Sequence, residues 1–567
     1  MLSGPVSIAR RCFGPGPSKG CGHLWPRWLF LRALGLIFFS AFYSFLFQIR
    51  GLIGPEGILP AREYLDAVGQ SLGARAFWYV PTLLWLGSGN RSLLLLCWVG
   101  LIASLLLLLN LWPRGMTAIC VAAYLSFVAA AQDFSSYQSD GMLLAAAFLC
   151  IVFAPPGLRP GLGEDHPPSW ASLFLLQWLW FQIYFESGFV KMASGDQDWR
   201  HLTALDHYYE NGPLPDWIGW YVQQLPHWFH AGAAAYTLVC ELFLVWMVFL
   251  PRRFRILCFF IVTPFQISII LTANLAFLNY LVLCLGILLL DDRFLRAAYT
   301  RFVSLFRKTE SSQDARLIPA IETPRGVLPD HVLASPAEAR AASTSAESGN
   351  TRLSGLKQAI QYASFVFSCV MLPWTFYATL ALLLLMIVPR LPLPSTPITA
   401  LEPFRIANSY GLFAVMTPAR HEIEFQGSID GQTWTPYPFR YKPQDPSQPP
   451  HIHAPYQPRF DWNLWFASLG GWREYPWVVN TEALLLKNDA SVIELFAGNP
   501  FAGAPPRQVR AVVWQYWFTD IATKRKTGQW WRREFQGLYA PTLEREPDGS
   551  IEVVDSPEGI GALTVPE

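Results

Sequence analysis

Long apolar stretches constrain this chain more than any other feature. About nine runs of near bilayer length recur along it, near 29–49, 91–112, 115–133, 141–156, 170–190, 231–251, 254–272, 275–290 and 362–388. The fourth and eighth are short. A bilayer core of about 30 Å takes about 20 residues of helix, and inside it only a helix or a closed barrel satisfies every backbone polar group. The spacing predicts a multi-pass α-helical membrane protein of about nine spans. Composition agrees: 52% of residues are hydrophobic and 15% charged, against roughly 25% charged in soluble proteins. Residues 76–87 (AFWYVPTLLWLG) are too few to span and read as interfacial or re-entrant. Residues 1–28 are basic and rich in Gly and Pro, and the run that follows is too long for a signal-peptide core, so it reads as an uncleaved first span.

Orientation follows from lysine and arginine beside the runs. Arg10, Arg11, Lys19 and Arg27 precede the first. Arg252, Arg253 and Arg255 lie between the sixth and seventh. Arg293, Arg296, Arg301, Arg307 and Lys308 follow the eighth. With nine spans all three clusters share the cytoplasmic side. The expected organisation is a cytoplasmic segment 1–28, a helical domain 29–290, a cytoplasmic and largely disordered linker 291–358, a last span 359–389 and an extracytoplasmic domain 390–567. The linker is rich in Ala, Ser, Glu and Pro, a composition that buries too little surface to offset chain entropy.

After residue 400 the pattern changes to strands. IEFQGSIDGQTWTPYPFRY (423–441) alternates around Asp430-Gly431, a hairpin signal. RQVRAVVWQYWFT (507–519) and GQWWRREFQGLY (528–539) read as strands, and 459–497 as helical. The expectation is a β-rich, sandwich-like domain with a helical insert. None of the nine cysteines follows Cys369, so this domain has no disulfide framework.

Ionisable groups inside a span are costly and mark candidate sites. The fifth run, QWLWFQIYFESGFVKM (177–192), carries Gln182, Glu186 and Lys191, the first two on one helix face. A polar stretch follows, SGDQDWRHLTALDHYYENGPLP (194–215), which includes His207. Lys191, Glu186 and His207 are the catalytic candidates, against the plainer reading that Lys191 reaches the interface and Glu186 is paired. Arg32, Asp133, Asp140 and Glu241 are further candidates for an intramembrane network. Trp462, Trp465, Trp530 and Trp531 are candidate client contacts, with core packing as the plainer alternative. No metal-ligand spacing and no Walker loop, GxSxG elbow or HExxH motif appears, so no cofactor or metal is implied. A net charge of +1 gives no case for nucleic acid.

Several blocks in order resemble the lipase maturation factor family. They are RGLIGPEGILPAREYL (50–65), the stretch from Ser187 to Pro215, LTANLAFLNYLVL (271–283), IANSYGLFAVMTPARHEIEFQGS (406–428), KPQDPSQPP (442–450), YQPRFDWNLWFA (456–467), GNPFAGAPPRQVR (498–510) and GQWWRREFQGLYAPTL (528–543). Animal members carry cysteines around the KPxDP segment; here Tyr441 and His451 stand nearby. The resemblance implies a membrane protein, of the endoplasmic reticulum or of a bacterial inner membrane, that assists maturation of secreted lipases or other secretory clients. Client protein and membrane lipid are the implied partners. The membrane half also resembles the transmembrane domain of vitamin K-dependent carboxylases, in which a Gly-x-x-Lys sequence precedes a Trp; Gly188, Lys191 and Trp199 fit that outline. This implies an alternative, a membrane enzyme acting on a lipid or quinone with Lys191 as base. A maturation factor without chemistry is the preferred expectation, and a transporter ranks third because no internal repeat is visible.

Overall fold

The computed structural model describes residues 9, 11–14, 22–135, 137–311 and 347–557. Most of the N-terminal segment and the centre of the linker, 312–346, lie outside this set. Every apolar run is helical: α1 (Leu24–Ile53), α2 (Asn90–Leu108), α3 (Pro113–Ala130), α4 (Gln138–Phe153), α5 (Trp170–Ala193), α6 (His227–Leu242), α7 (Arg252–Thr272), α8 (Leu278–Gly286) and α9 (Glu347–Ile387). Local chemistry places their starts. Pro226 and Pro251 precede α6 and α7, and Pro113 opens α3, where a missing N–H costs nothing. The Ser169 hydroxyl caps α5 by accepting from the Ser172 amide.

Six of the described helices, α1, α2, α3, the α6 segment to Phe249, α7 and the α9 segment 358–387, are long and apolar enough to cross a membrane. Helices α4 and α8 are shorter, and α5 is long but carries Gln177, Gln182, Glu186 and Lys191, all buried. Segment 76–87 forms two short helical turns that leave Phe77, Trp78 and Leu86 exposed. The linker is shorter than its composition suggests, because helix runs from Asp292 to Ser311 and resumes at Glu347.

The C-terminal part holds one antiparallel sheet of β1 (Arg420–Ser428), β2 (Thr435–Pro436), β3 (Gln508–Phe518), β4 (Trp531–Leu538), β5 (Thr542–Arg545) and β6 (Ile551–Asp555). Its order is β2-β1-β3-β5-β6, with β4 also on β3. The hairpin turns at Gly431, φ 71°, with the Asp430 carboxylate accepting from the Gln432 and Thr433 amides. A facing second sheet, as in a sandwich, is absent among the described residues. Helices α10 (Arg459–Ala467) and α11 (Trp477–Leu486), inserted between β2 and β3, cover that face instead. Phe425 of β1 stacks on Phe460 of α10, and Tyr539 donates to the Ala467 carbonyl. Alternation shows that a strand face is buried, not what buries it.

The helix ends sort into two poles. At one, Trp112 meets Leu158, Arg27 donates to the His166, Leu162 and Gly163 carbonyls, Asp292 accepts from the Leu24 and Trp25 amides, and Arg252 pairs with Asp291. At the other, the turns after α1, α3, α5 and α7 all meet the sheet domain. Arg50 pairs with Glu494, Arg459 donates to the Phe134 carbonyl, Arg420 to the Glu210 and Pro213 carbonyls, and Asn274 to His451. One hydrophobic core runs from Phe30 of α1 to Leu543 of β5. The sheet domain is therefore welded to the helices along a seam, not tethered by the Pro-rich exit from α9.

Candidate functional site

The buried charges of the helical half do not form one network. Lys191, near the end of α5, donates to both Glu241 oxygens of α6, at 2.9 and 3.1 Å. Its ammonium lies 5.1 Å from the Trp199 ring centre. Gly188 makes this possible: a Cβ there would stand 2.7 Å from the Glu241 Cβ, so only glycine lets α5 and α6 approach this closely. Gly188, Lys191 and Trp199 thus act together, in a closed cation cage.

Glu186 does not pair with Lys191. It accepts from Gln182, at 2.9 Å, and from the Tyr410 backbone amide, at 2.7 Å. Tyr410 belongs to the strap that returns from α9 to the sheet, so Glu186 pegs that strap to α5. His207 lies exposed on the short helix Leu205–Asn211 and shares no hydrogen bond with either residue. The three catalytic candidates are not assembled into one constellation. Of the remaining candidates, Asp140 joins Arg459, and Arg32 donates to the Trp28 carbonyl beneath its own ring contact.

The seam supplies residues that sequence reasoning missed. Arg459, fully buried, donates to both Asp140 oxygens at 2.8 and 2.9 Å, to the Phe134 carbonyl and to the Tyr124 hydroxyl. Gln48 of α1 donates to Tyr456 and to the Gln457 carbonyl. Asn274 accepts from the His453 and Ala454 amides. Arg420 and Lys442 share Glu422. An arginine inside the apolar stretch PRFDWNLWF was the available signal for Arg459. Its neighbour Asp461, buried and accepting from the Tyr441 and Lys442 amides, is pushed up to about 6 by desolvation, with Lys442 opposing.

Between the halves lies a cleft of about 500 Å³. Its walls come from the α5–α6 connection (Tyr208, Asn211–Pro213), the strap (411–417), the start of α8, and α10 with the segment to Trp477. Trp462 and Trp465 line it and are otherwise buried; Trp465 donates to the Asn211 carbonyl. Trp531 is buried against Phe518, with ring centres 4.5 Å apart. Trp530 is half-buried, with the Lys524 ammonium 3.0 Å from its ring centre. No group of three or more His, Cys, Asp and Glu side chains that could hold a metal ion occurs among the described residues.

The blocks that meet at this cleft, 187–215, 406–428 and 456–467, lie far apart in the chain, and their joint match to one family decides the relationship. A family model described as the lipase maturation factor transmembrane domain matches residues 25–297, and one described as the lipase maturation factor C-terminal domain matches 406–541. The chain belongs to the lipase maturation factor family. Lipase maturation factor 2 of Gallus gallus is 33% identical over 580 residues, covering 91% of this chain and 81% of that protein. Lipase maturation factor 1 of Bos taurus is 31% identical over 543 residues, covering 93% and 90%. Lipase maturation factor 1 of Homo sapiens is 30% identical over 555 residues, covering 94% and 91%. No solved structure matches. The seam joins the two parts that the family models describe, so this lipase maturation factor-like chain is an integral membrane protein whose two matched regions pack as one body.

Proposed function

We propose that this chain assists folding or assembly of secreted lipases, or of other secretory clients, without catalysing a reaction. The observation that carries this reading is the weld itself, in which every turn at one pole of the helices grips the sheet domain. Nine spans, with that pole outside the cytoplasm, fit the alternation of helix ends and the basic residues at the opposite pole. The membrane is that of the endoplasmic reticulum, or the inner membrane in a bacterium. The sheet domain then faces the compartment in which secreted proteins fold. Strands β4 and β6 each pair on one side only among the described residues, and both expose apolar side chains, Phe535 on β4 and Val553 and Val554 on β6. Such edges offer main-chain partners to an incompletely folded client.

The test is secreted lipase activity from cells lacking their own maturation factor, supplemented with this protein at matched expression. Rescue by the full chain, and loss of rescue with the paired edge variants Phe535→Asp and Val553→Pro, is the expected result. Equal rescue after removal of residues 400–557 would refute it.

A further inference from the structure

The helix Asp292–Ser311 stands at the basic pole, apart from the weld and from the strand edges. Local chemistry fixes how it leaves the helical half. Asp291, held by Arg252, accepts from the Phe294 amide and so caps the first turn. Asp292 accepts from the Leu24 and Trp25 amides at the start of α1. Both carboxylates at the root are thereby engaged by the protein, and the charge left on the turns up to Ser304 is positive. Arg293, Arg296 and Arg301 are exposed, and none forms an ion pair among the described residues. At about 100° per residue the stretch 293–304 divides into two arcs. Arg293, Thr300 and Ser304 centre one arc, and Leu295, Tyr299 and Phe302 centre the other. Arg296 and Arg301 fall on the two borders between them. Tyr299 and Phe302 are exposed.

The root of the apolar arc shows what covers it. The Phe294 ring meets Phe260 of α7, with ring centres 5.5 Å apart. Phe260, Phe254 and Leu257 are all exposed, on one flank of the first turns of α7. That helix is long and apolar enough to cross a membrane, so this flank faces lipid. The apolar arc of Asp292–Ser311 therefore continues a lipid-facing surface at the level where α1 and α7 begin. A helix with large apolar side chains on one arc and unpaired arginines on the other suits the surface of an anionic membrane. Basic amphipathic helices are also wrapped by soluble proteins. Here the root of the apolar arc is already seated against α7, where lipid is the neighbour.

We infer that the helix Asp292–Ser311 lies in the membrane surface at the basic pole and binds anionic phospholipid, with Tyr299 and Phe302 among the acyl chains and Arg296 and Arg301 at the lipid phosphates. The inference is independent of the client reading, and its test uses no lipase. The full-length protein is placed in nanodiscs of phosphatidylcholine, alone or mixed with phosphatidylglycerol. Amide hydrogen exchange across 295–304 is followed by mass spectrometry. Each arginine near an anionic surface strengthens attachment about fivefold, so phosphatidylglycerol should slow this exchange about tenfold or more. High salt should weaken the effect. The pair Arg296→Gln and Arg301→Gln should abolish the slowing, whereas Arg293→Gln, at the middle of the polar arc, should keep most of it. Unchanged exchange in α1 to α3 shows that a variant is folded, and the comparison of the two lipids on the unaltered chain needs no variant. Equal exchange in both lipids, the same slowing by free glycerol 3-phosphate in phosphatidylcholine nanodiscs, or full slowing in the folded pair variant would each overturn the inference. So would slowing seen in native membranes and not in anionic nanodiscs, which would assign the helix to a protein partner. Failure here leaves the strand-edge reading standing, and unimpaired lipase rescue by the edge variants leaves this one standing.

Discussion

At the scale of single residues, the partners decide the role. Lys191 and Glu241 neutralise each other inside the helical half. Removing one leaves the other buried and unpaired, so Lys191→Ala should destabilise by about 3–5 kcal/mol. Replacing both with apolar residues of similar volume, Lys191→Met with Glu241→Leu, should recover most of that loss. Thermal unfolding of the detergent-solubilised protein measures both, and a catalytic base would not be rescued in this way. Glu482 of α11 gives a pH test outside the membrane. Burial holds its carboxyl well above the ordinary value of 4.5, opposed only in part by the Ala511 amide. A raised folded-state pKa contributes stability that is full below the unfolded value and lost as pH rises through the folded one. Glu482→Gln should therefore flatten the fall in stability of the protein above pH 4.5, measured as unfolding temperature against pH. The sequence displayed Lys191 and Glu186 as charges in an apolar run. Their partners, Glu241 and the Tyr410 amide, lie 50 and 224 positions away, and no local spacing rule reaches them.

Among the elements, the helices were legible and their lids were not. Apolar length located the nine apolar helices, though not the polar helix Asp292–Ser311, and the Asp430-Gly431 pair located the hairpin, because each signal is local. The single sheet covered by α10 and α11 was not legible as such, since strand alternation is the same under a helix as under a second sheet. Helix contact adds a further constraint at Gly188. A methyl group there meets the Glu241 Cβ, so Gly188→Ala should separate α5 from α6 and cost about 1–3 kcal/mol. The same unfolding assay checks this, and a neutral result would mean that the two helices can part without loss.

For the whole molecule, Arg459 joins the sheet domain to the first turn of α4 through Asp140 and to the turn before it through the Phe134 carbonyl. Its loss leaves Asp140 buried without its charge partner, a cost of about 3–5 kcal/mol placed at the seam. Family blocks in the sequence pointed to both halves, but only their packing brings 187–215, 406–428 and 456–467 to one place. Under the proposed function, client maturation requires this weld and not proton chemistry at Lys191. The direct measurement is lipase activity secreted by factor-deficient cells expressing either Arg459→Ala or the neutral Lys191→Met, Glu241→Leu pair at matched levels. The neutral pair should sustain secretion of active lipase, and Arg459→Ala should not. Loss of activity with a stably folded neutral pair, and its retention in Arg459→Ala, would contradict it.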